Sequence, residues 1–174
     1  MCPGEMEVLL TLVTRMAPKT MLEIGVNEGI TAKGLLDNIP SIKEYIGIDV
    51  PMEYRTELEM QRNEVPVRPG RLVNDERFRL LVYPQGSFDL SPSDLPQCDV
   101  VFIDGDHGRK AVMHDSDLAD KVVRPGGMVI WHDYHDMGNV DVREVLHERA
   151  AAGEAITNVA GTWLAFRIKP RGDN

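Results

Sequence analysis

Several acidic residues of this chain end, or directly follow, an apolar run. Glu23 lies in MLEIGVNEGIT, residues 21–31, two positions before Gly25 and six before Gly29, and Asp49 closes EYIGID. Asp104, Asp106 and His107 follow CDVVFI as DGDH, and His132, Asp133 and Tyr134 follow MVIW as HDY. Carboxylates so placed can accept hydrogen bonds from hydroxyls, hold a hard metal ion, or take a proton from a reacting group. The two glycines would let backbone approach a ligand closely, and a helix N-terminus behind them favours negative charge. A dinucleotide loop needs Gly-x-Gly-x-x-Gly, with pyrophosphate on the second glycine. Here that position is Asn27, and the pattern is Glu-x-Gly-x-x-x-Gly. Plainer readings stand beside these. A glycine can serve only a tight strand-to-helix turn, Asp106 can cap the helix after it, and His107 can be a loop histidine with a satisfied bond. His132 and His135 form a His-x-x-His, but at a strand end rather than at the helical spacing of a zinc protease.

The elements that must position these groups alternate along the chain. Met6, Leu9, Leu10, Val13 and Met16 fall at helical spacing, so residues 5–17 are expected to be an amphipathic helix that Pro18 ends. Residues 20–26 predict a strand, 28–39 a helix, 44–50 a second strand and 79–84 a short third one. The polar stretch 51–78 predicts helix fragments and loop. Residues 98–105 are apolar almost without break, the pattern of a parallel strand buried on both faces. A helix over 110–123, an RPGG turn at 124–127, a strand over 128–134 and a helix over 141–152 follow, and residues 155–170 close the chain as a pair of strands. The expected fold is α/β: one Rossmann-like, doubly wound, mostly parallel seven-stranded sheet, with helices on both faces and the last strand antiparallel. In such sheets ligands sit beyond the carboxyl ends of the strands, where strand order reverses.

With 174 residues, the chain is expected to form one domain over 1–174, an N-terminal helix at 1–17 and a core at 18–170. Hydrophobic residues make up 43% and charged residues 27%, the balance of a soluble globular protein. A net charge of −9 without clustered Lys and Arg argues against nucleic acid as a partner. The run VLLTLV is too short for a signal peptide or a bilayer span, so no membrane role is expected. The two cysteines, Cys2 and Cys98, suggest no disulfide and a reducing cytoplasm. His114 and His147 are expected on solvated helix faces, and Trp131 and Trp163 in the core or on the sheet surface.

The set Glu23, Gly25, Gly29 and Asp49 resembles the class I S-adenosylmethionine-dependent methyltransferases. Asp104-Gly105-Asp106-His107, Asp115, Pro125-Gly126-Gly127 and His132-Asp133-Tyr134 are similar to the family that includes antibiotic-sugar O-methyltransferases and the so-called cephalosporin hydroxylases. The resemblance covers residues 18–170. It implies S-adenosylmethionine as cofactor and a small-molecule hydroxyl as methyl acceptor. Glu23 would offer charge to the cationic methionine end, beside the loop of Gly25, Asn27 and Gly29. Asp49 would take both ribose hydroxyls, and Gln85, Gly86 and Ser87 would border the adenine. Asp104 and His107 would flank the sulfur, with Asp106 or His107 taking the acceptor's proton. Metal-using relatives imply Mg²⁺ or Mn²⁺ on Asp104 and Asp133. His132 stands where a second acid is frequent, which would shift preference toward Mn²⁺. Only a short helix precedes the first strand, so a homodimer that completes the acceptor pocket is expected. Two other readings stay open: a module that binds the cofactor without catalysis, and a nicotinamide-dependent oxidoreductase, which Asn27 disfavours.

Overall fold

A computed structural model of the protein describes residues 3–55, 65–138 and 140–171. Part of the stretch expected as helix fragments, and Cys2, lie outside the described residues. Seven strands are present among them: β1 (Thr20–Ile24), β2 (Glu44–Asp49), β3 (Phe78–Val82), β4 (Cys98–Ile103), β5 (Val123–Trp131), β6 (Thr157–Asn158) and β7 (Ala165–Ile168). They form one sheet in the order β3-β2-β1-β4-β5-β7-β6. The first five run parallel, and β7 runs antiparallel to both β5 and β6. The helices are α1 (Glu5–Met16), α2 (Ile30–Asn38), α3 (Arg109–Val122) and α4 (Val142–Ala151).

Strand alternation sorts the core into two layers. On one face Met21, Tyr45, Phe102 and Ile130 pack with Leu9 and Val13 of α1 and Ala32 and Leu35 of α2. On the other, Leu22, Ile46, Val101 and Trp131 pack with Val112 and Leu118 of α3 and Val145 and Leu146 of α4. Each such fully buried Leu or Ile contributes about 1.5–3 kcal/mol. Both faces of β1 and β4 are covered, which is why these strands are mostly apolar, with Glu23 and Asp99 as the acidic exceptions. The Asp99 carboxylate fastens the lower edge: it accepts the N–H groups of Lys19 at 2.6 Å and Thr20 at 2.9 Å, and the Arg124 guanidinium at 2.5 Å.

The strand ends differ from their sequence expectations for a local reason. The first strand stops at Ile24 because Gly25 turns left-handed at φ 89°, and α2 starts only after Gly29 at φ 91°. The expected RPGG turn instead lies inside β5. The pairing of β5 with β4 shifts register between Cys98 and Val100, and Gly126 takes φ 78°. A bulge of this kind keeps the strand running while absorbing extra residues. Between β1 and β4 the strand order reverses, so the loops after β1, β2, β4 and β5 crowd one end of the sheet.

Candidate active site

The loop after β1 is built by close approach of backbone to backbone. A Cβ on Gly25 would lie 2.2 Å from the Asp104 carbonyl oxygen and 2.6 Å from the Gly105 Cα. One on Gly29 would meet a Val73 methyl at 2.6 Å. Both glycines therefore let protein segments touch, whatever a ligand requires. Asn27 is also left-handed, at φ 49°, and its N–H donates to Asp49 Oδ2 at 2.6 Å. The Val50 N–H donates to Asp49 Oδ1 at 2.7 Å. Burial raises the Asp49 carboxyl, against the lowering effect of bonds from the Val50, Asn27 and Val26 backbone.

Glu23 is placed differently from its sequence expectation. Alternation along β1 turns it to the same face as Met21, beneath α1 and α2. It is buried there, and one oxygen accepts the Tyr45 hydroxyl at 2.9 Å. Burial holds its carboxyl well above the usual carboxylate range; the Tyr45 bond lowers it, and Asp104 and Asp49 raise it further. Glu23 is absent from the cavity wall, so the expected charge toward a ligand is corrected to a buried structural acid.

Over the strand ends lies a cavity of about 980 Å³. Gly25, Asn27, Asp49, Gln85, Gly86, Ser87, Asp104, Asp106, His107, His132 and Asp133 all line it. Gly29 lies behind the wall. Trp163, expected in the core or on the sheet surface, also borders the cavity, as do Tyr54 and Asp115. Gly86 opens a 3-10 turn, Gly86–Asp89, whose Ser87 hydroxyl donates to Asp115 Oδ1 at 2.5 Å. Burial pushes Asp115 up to about 7; the Ser87 bond lowers it and nearby Asp106 raises it. His114 belongs to this contact rather than to a solvated face. Its Nε2 is 3.2 Å from the Ser87 carbonyl oxygen, and its ring stacks on Phe88 at 4.1 Å. His147 is exposed as expected, bonded to the Tyr134 hydroxyl at 2.7 Å.

At the other end of the cavity the loops after β4 and β5 bring two carboxylates and three imidazoles together. Asp133, left-handed at φ 57°, has Oδ2 2.8 Å from His107 Nε2 and 2.9 Å from His132 Nδ1, and Oδ1 3.4 Å from His135 Nε2. Asp104 Oδ1 is 3.1 Å from His132 Nδ1. The other ring nitrogen of His132 lies 3.3 Å from Glu5 Oε2 of α1. Burial alone would lower the His132 pKa, but bonds and charge from Asp104 and Asp133 raise it to about 11. Burial likewise opposes ionisation of Asp133, and His107 and His132 outweigh it, holding that carboxyl far below the usual range.

His132 Nδ1 lies between the carboxylates of Asp104 and Asp133, and its Nε2 faces Glu5. Held as an imidazolium, the ring relieves the repulsion expected between Asp104 and Asp133. Asp104, His107 and Asp133 form a set that could hold a metal ion, with candidate ligand atoms within 4.8 Å of one another. Two oxygens and one imidazole nitrogen suit Mn²⁺ or a similar ion. Asp106 is held by its turn, accepting the Gly108 N–H at 2.9 Å and the Tyr54 hydroxyl at 3.2 Å. Glu5 and Tyr54 went unseen in the sequence, since neither sits at a strand end.

A doubly wound sheet with one cavity at the point of strand reversal defines a ligand-binding α/β protein with carboxylates at its strand ends. A family model described as methyltransferase domain matches residues 22–134, from β1 to the HDY motif, and the chain belongs to that family. It is 31% identical over 117 residues to the uncharacterised protein R132 of Acanthamoeba polyphaga mimivirus. That match takes 67% of this chain and 52% of the relative, so the chain spans about half the length of that protein. Three solved structures share the fold. Cofactor-bound Rv0187 from MTB superimposes with a TM-score of 0.67 at 17% identity, over 99% of this chain and 82% of its own. The O-methyltransferase from Bacillus cereus in complex with SAH gives 0.64 at 16%, over 97% and 82%. The O-methyltransferase TomG from Streptomyces achromogenes, in complex with SAM, gives 0.64 at 17%, over 97% and 81%.

Proposed function

We propose that the protein transfers the methyl group of S-adenosylmethionine to a hydroxyl of a small molecule. The observation that carries this is one cavity joining the buried Asp49 carboxylate to the Asp104, His107 and Asp133 corner. In this reading the free lone pairs of Asp49 take the ribose hydroxyls, while Gln85, Gly86 and Ser87 border the adenine. Gly25, Asn27 and Asp104 surround the methionine end. The sulfonium then points at the corner. The acceptor oxygen attacks the methyl carbon, the carbon–sulfur bond breaks, and S-adenosylhomocysteine leaves. His107, oriented by Asp133, takes the hydroxyl proton. Asp106 is the second candidate, although its oxygens already serve Gly108 and Tyr54. A divalent ion held by Asp104, His107 and Asp133 would supply Lewis acidity to the acceptor hydroxyl.

A nicotinamide cofactor fits poorly. The Asn27 amide, at the place where a pyrophosphate cradle needs a glycine, is turned to Asp49. No helix among the described residues is long and apolar enough to cross a membrane. A cytoplasmic setting accords with Cys98, a free buried thiol whose pKa burial pushes up to about 12. A second copy of the chain completing the acceptor pocket is part of the same proposal.

The test offers S-adenosylmethionine carrying a labelled methyl group and a panel of sugars, phenols and amines, with Mn²⁺, with Mg²⁺ and with chelator. Label is expected in an O-methyl product, and Asp133→Asn is expected to lose most of that transfer. Label on nitrogen only, or no transfer under any condition, contradicts the reading. Unchanged rates in chelator remove the metal and leave His107 as the base.

A further inference from the structure

The wall of the cavity opposite the cofactor loops is the start of α1, and it contains a buried acid the reaction scheme has not used. Glu5 is fully buried although it occupies the first turn of an N-terminal helix. Gly4, left-handed at φ 88°, swings the helix start over the sheet, and Gly4, Met6 and Glu7 face the cavity. Glu5 itself is absent from the cavity wall and contacts two residues that line it, His132 and Trp163. Its Oε1 accepts the Trp163 N–H at 2.5 Å, and its Oε2 lies 3.3 Å from His132 Nε2. A carboxylate only accepts, so the ring presents an N–H to Glu5. The same ring faces Asp104 and Asp133 with Nδ1. Phe102 and Trp163 flank it, with ring centroids 6.5 Å and 6.2 Å away. His132 is thus fixed from behind by a residue 127 positions earlier in the chain.

We propose that Glu5 is a positioning residue of the methyl-transfer site: by fixing the His132 ring it holds Asp104 and Asp133 in their working orientation, and makes α1 part of the catalytic unit. The proposal rests on the methyl-transfer reading above. Glu5 is absent from the cavity wall, and in this proposal its effect on the reaction passes through His132. Partners that orient the groups of a site in this way commonly change activity about 10-fold to 100-fold when altered.

The test is Glu5→Gln, which keeps the volume, the burial and an acceptor for Trp163, but turns an N–H donor toward His132. Three quantities are read on the full-length chain: S-adenosylhomocysteine affinity by calorimetry, kcat and KM with the acceptor found in the panel, and the ¹⁵N signals of the His132 ring. Affinity for S-adenosylhomocysteine is expected to stay within twofold, kcat to fall at least tenfold, and the His132 signals to shift. In a His132→Asn background the same change is expected to add nothing, because the two residues act as one unit. A Glu5→Gln enzyme with wild-type kcat and unshifted His132 signals overturns the proposal. So does a loss of kcat that persists undiminished in the His132→Asn background. Failure of the wild-type chain to transfer methyl groups at all is a different result: it overturns the methyl-transfer reading and the catalytic part of this proposal with it.

Discussion

Asp115 shows what burial does to one carboxyl in this site. It sits under the 3-10 turn that borders the cavity, accepts the Ser87 hydroxyl at 2.5 Å, and holds its proton up to about pH 7. In the unfolded chain the same group releases its proton near its ordinary 3.8. Between those values the native state binds more protons than the unfolded one, so this group makes stability fall as pH rises. The slope approaches about 1.4 kcal/mol per pH unit within that window. Asp115→Asn keeps the shape and the Ser87 bond and removes the titration. Denaturant unfolding at pH 5 and pH 8 is therefore expected to show the variant gaining on the wild type by a few kcal/mol at the higher pH. A stability difference that is the same at both values would mean that Asp115 is charged in the folded protein. His132 works in the same sense but in a higher pH window. Its raised pKa contributes stability that is complete below its ordinary 6.5 and lost only as pH climbs toward about 11.

At the scale of elements, the sequence discloses the strands better than their ends. Residues 98–103 read as a strand buried on both faces because α1 and α2 cover one side and α3 and α4 the other. The ends depend on backbone torsions and on segments far away in sequence. The RPGG stretch resembles a turn in isolation, yet pairing with β4 carries β5 through it with a register shift. Glu23 reads as a ligand acid from its place before Gly25; only strand alternation, with α1 above it, makes it a buried partner of Tyr45. His132 reads as a metal ligand from its place before Asp133; only the folded chain brings Glu5, which no local pattern connects to it, against its second nitrogen. Gly25 shows how tightly these ends are joined. Alanine there would have to adopt φ 89° with its methyl 2.2 Å from the Asp104 carbonyl oxygen. That strain and the forced shift of the β4 loop are expected to cost at least about 3 kcal/mol, a fall of roughly 6–12 °C in Tm for a chain of this size. A thermal melt of Gly25→Ala within a degree or two of wild type would show that the two loops do not pack as described.

For the molecule as a whole, the charge of the cavity is as telling as its shape. Glu7, Glu28, Asp49, Asp104, Asp106, Asp115 and Asp133 line it, and among the described lining residues there is no Lys or Arg. Asp115 holds its proton and Glu28 is paired with Arg71, so the negative wall rests on Glu7, Asp49, Asp104, Asp106 and Asp133, which disfavour a pyrophosphate and suit a ligand with a sulfonium and an ammonium group. The loop of Gly25 and Asn27 closes onto Asp49 instead of opening a phosphate cradle, so local geometry and overall field agree. The most direct test is calorimetric titration of the wild-type chain with S-adenosylhomocysteine and with NAD, repeated on Asp49→Ala. S-adenosylhomocysteine is expected to bind with micromolar affinity, about 8 kcal/mol. Asp49→Ala, folded but lacking the carboxylate, is expected to bind it at least tenfold more weakly, since each hydrogen bond to that charged group is worth about 1.5–3 kcal/mol. NAD is expected to give no heat of binding. Clear binding of NAD with none of S-adenosylhomocysteine, or equal affinity in wild type and Asp49→Ala, would contradict the account.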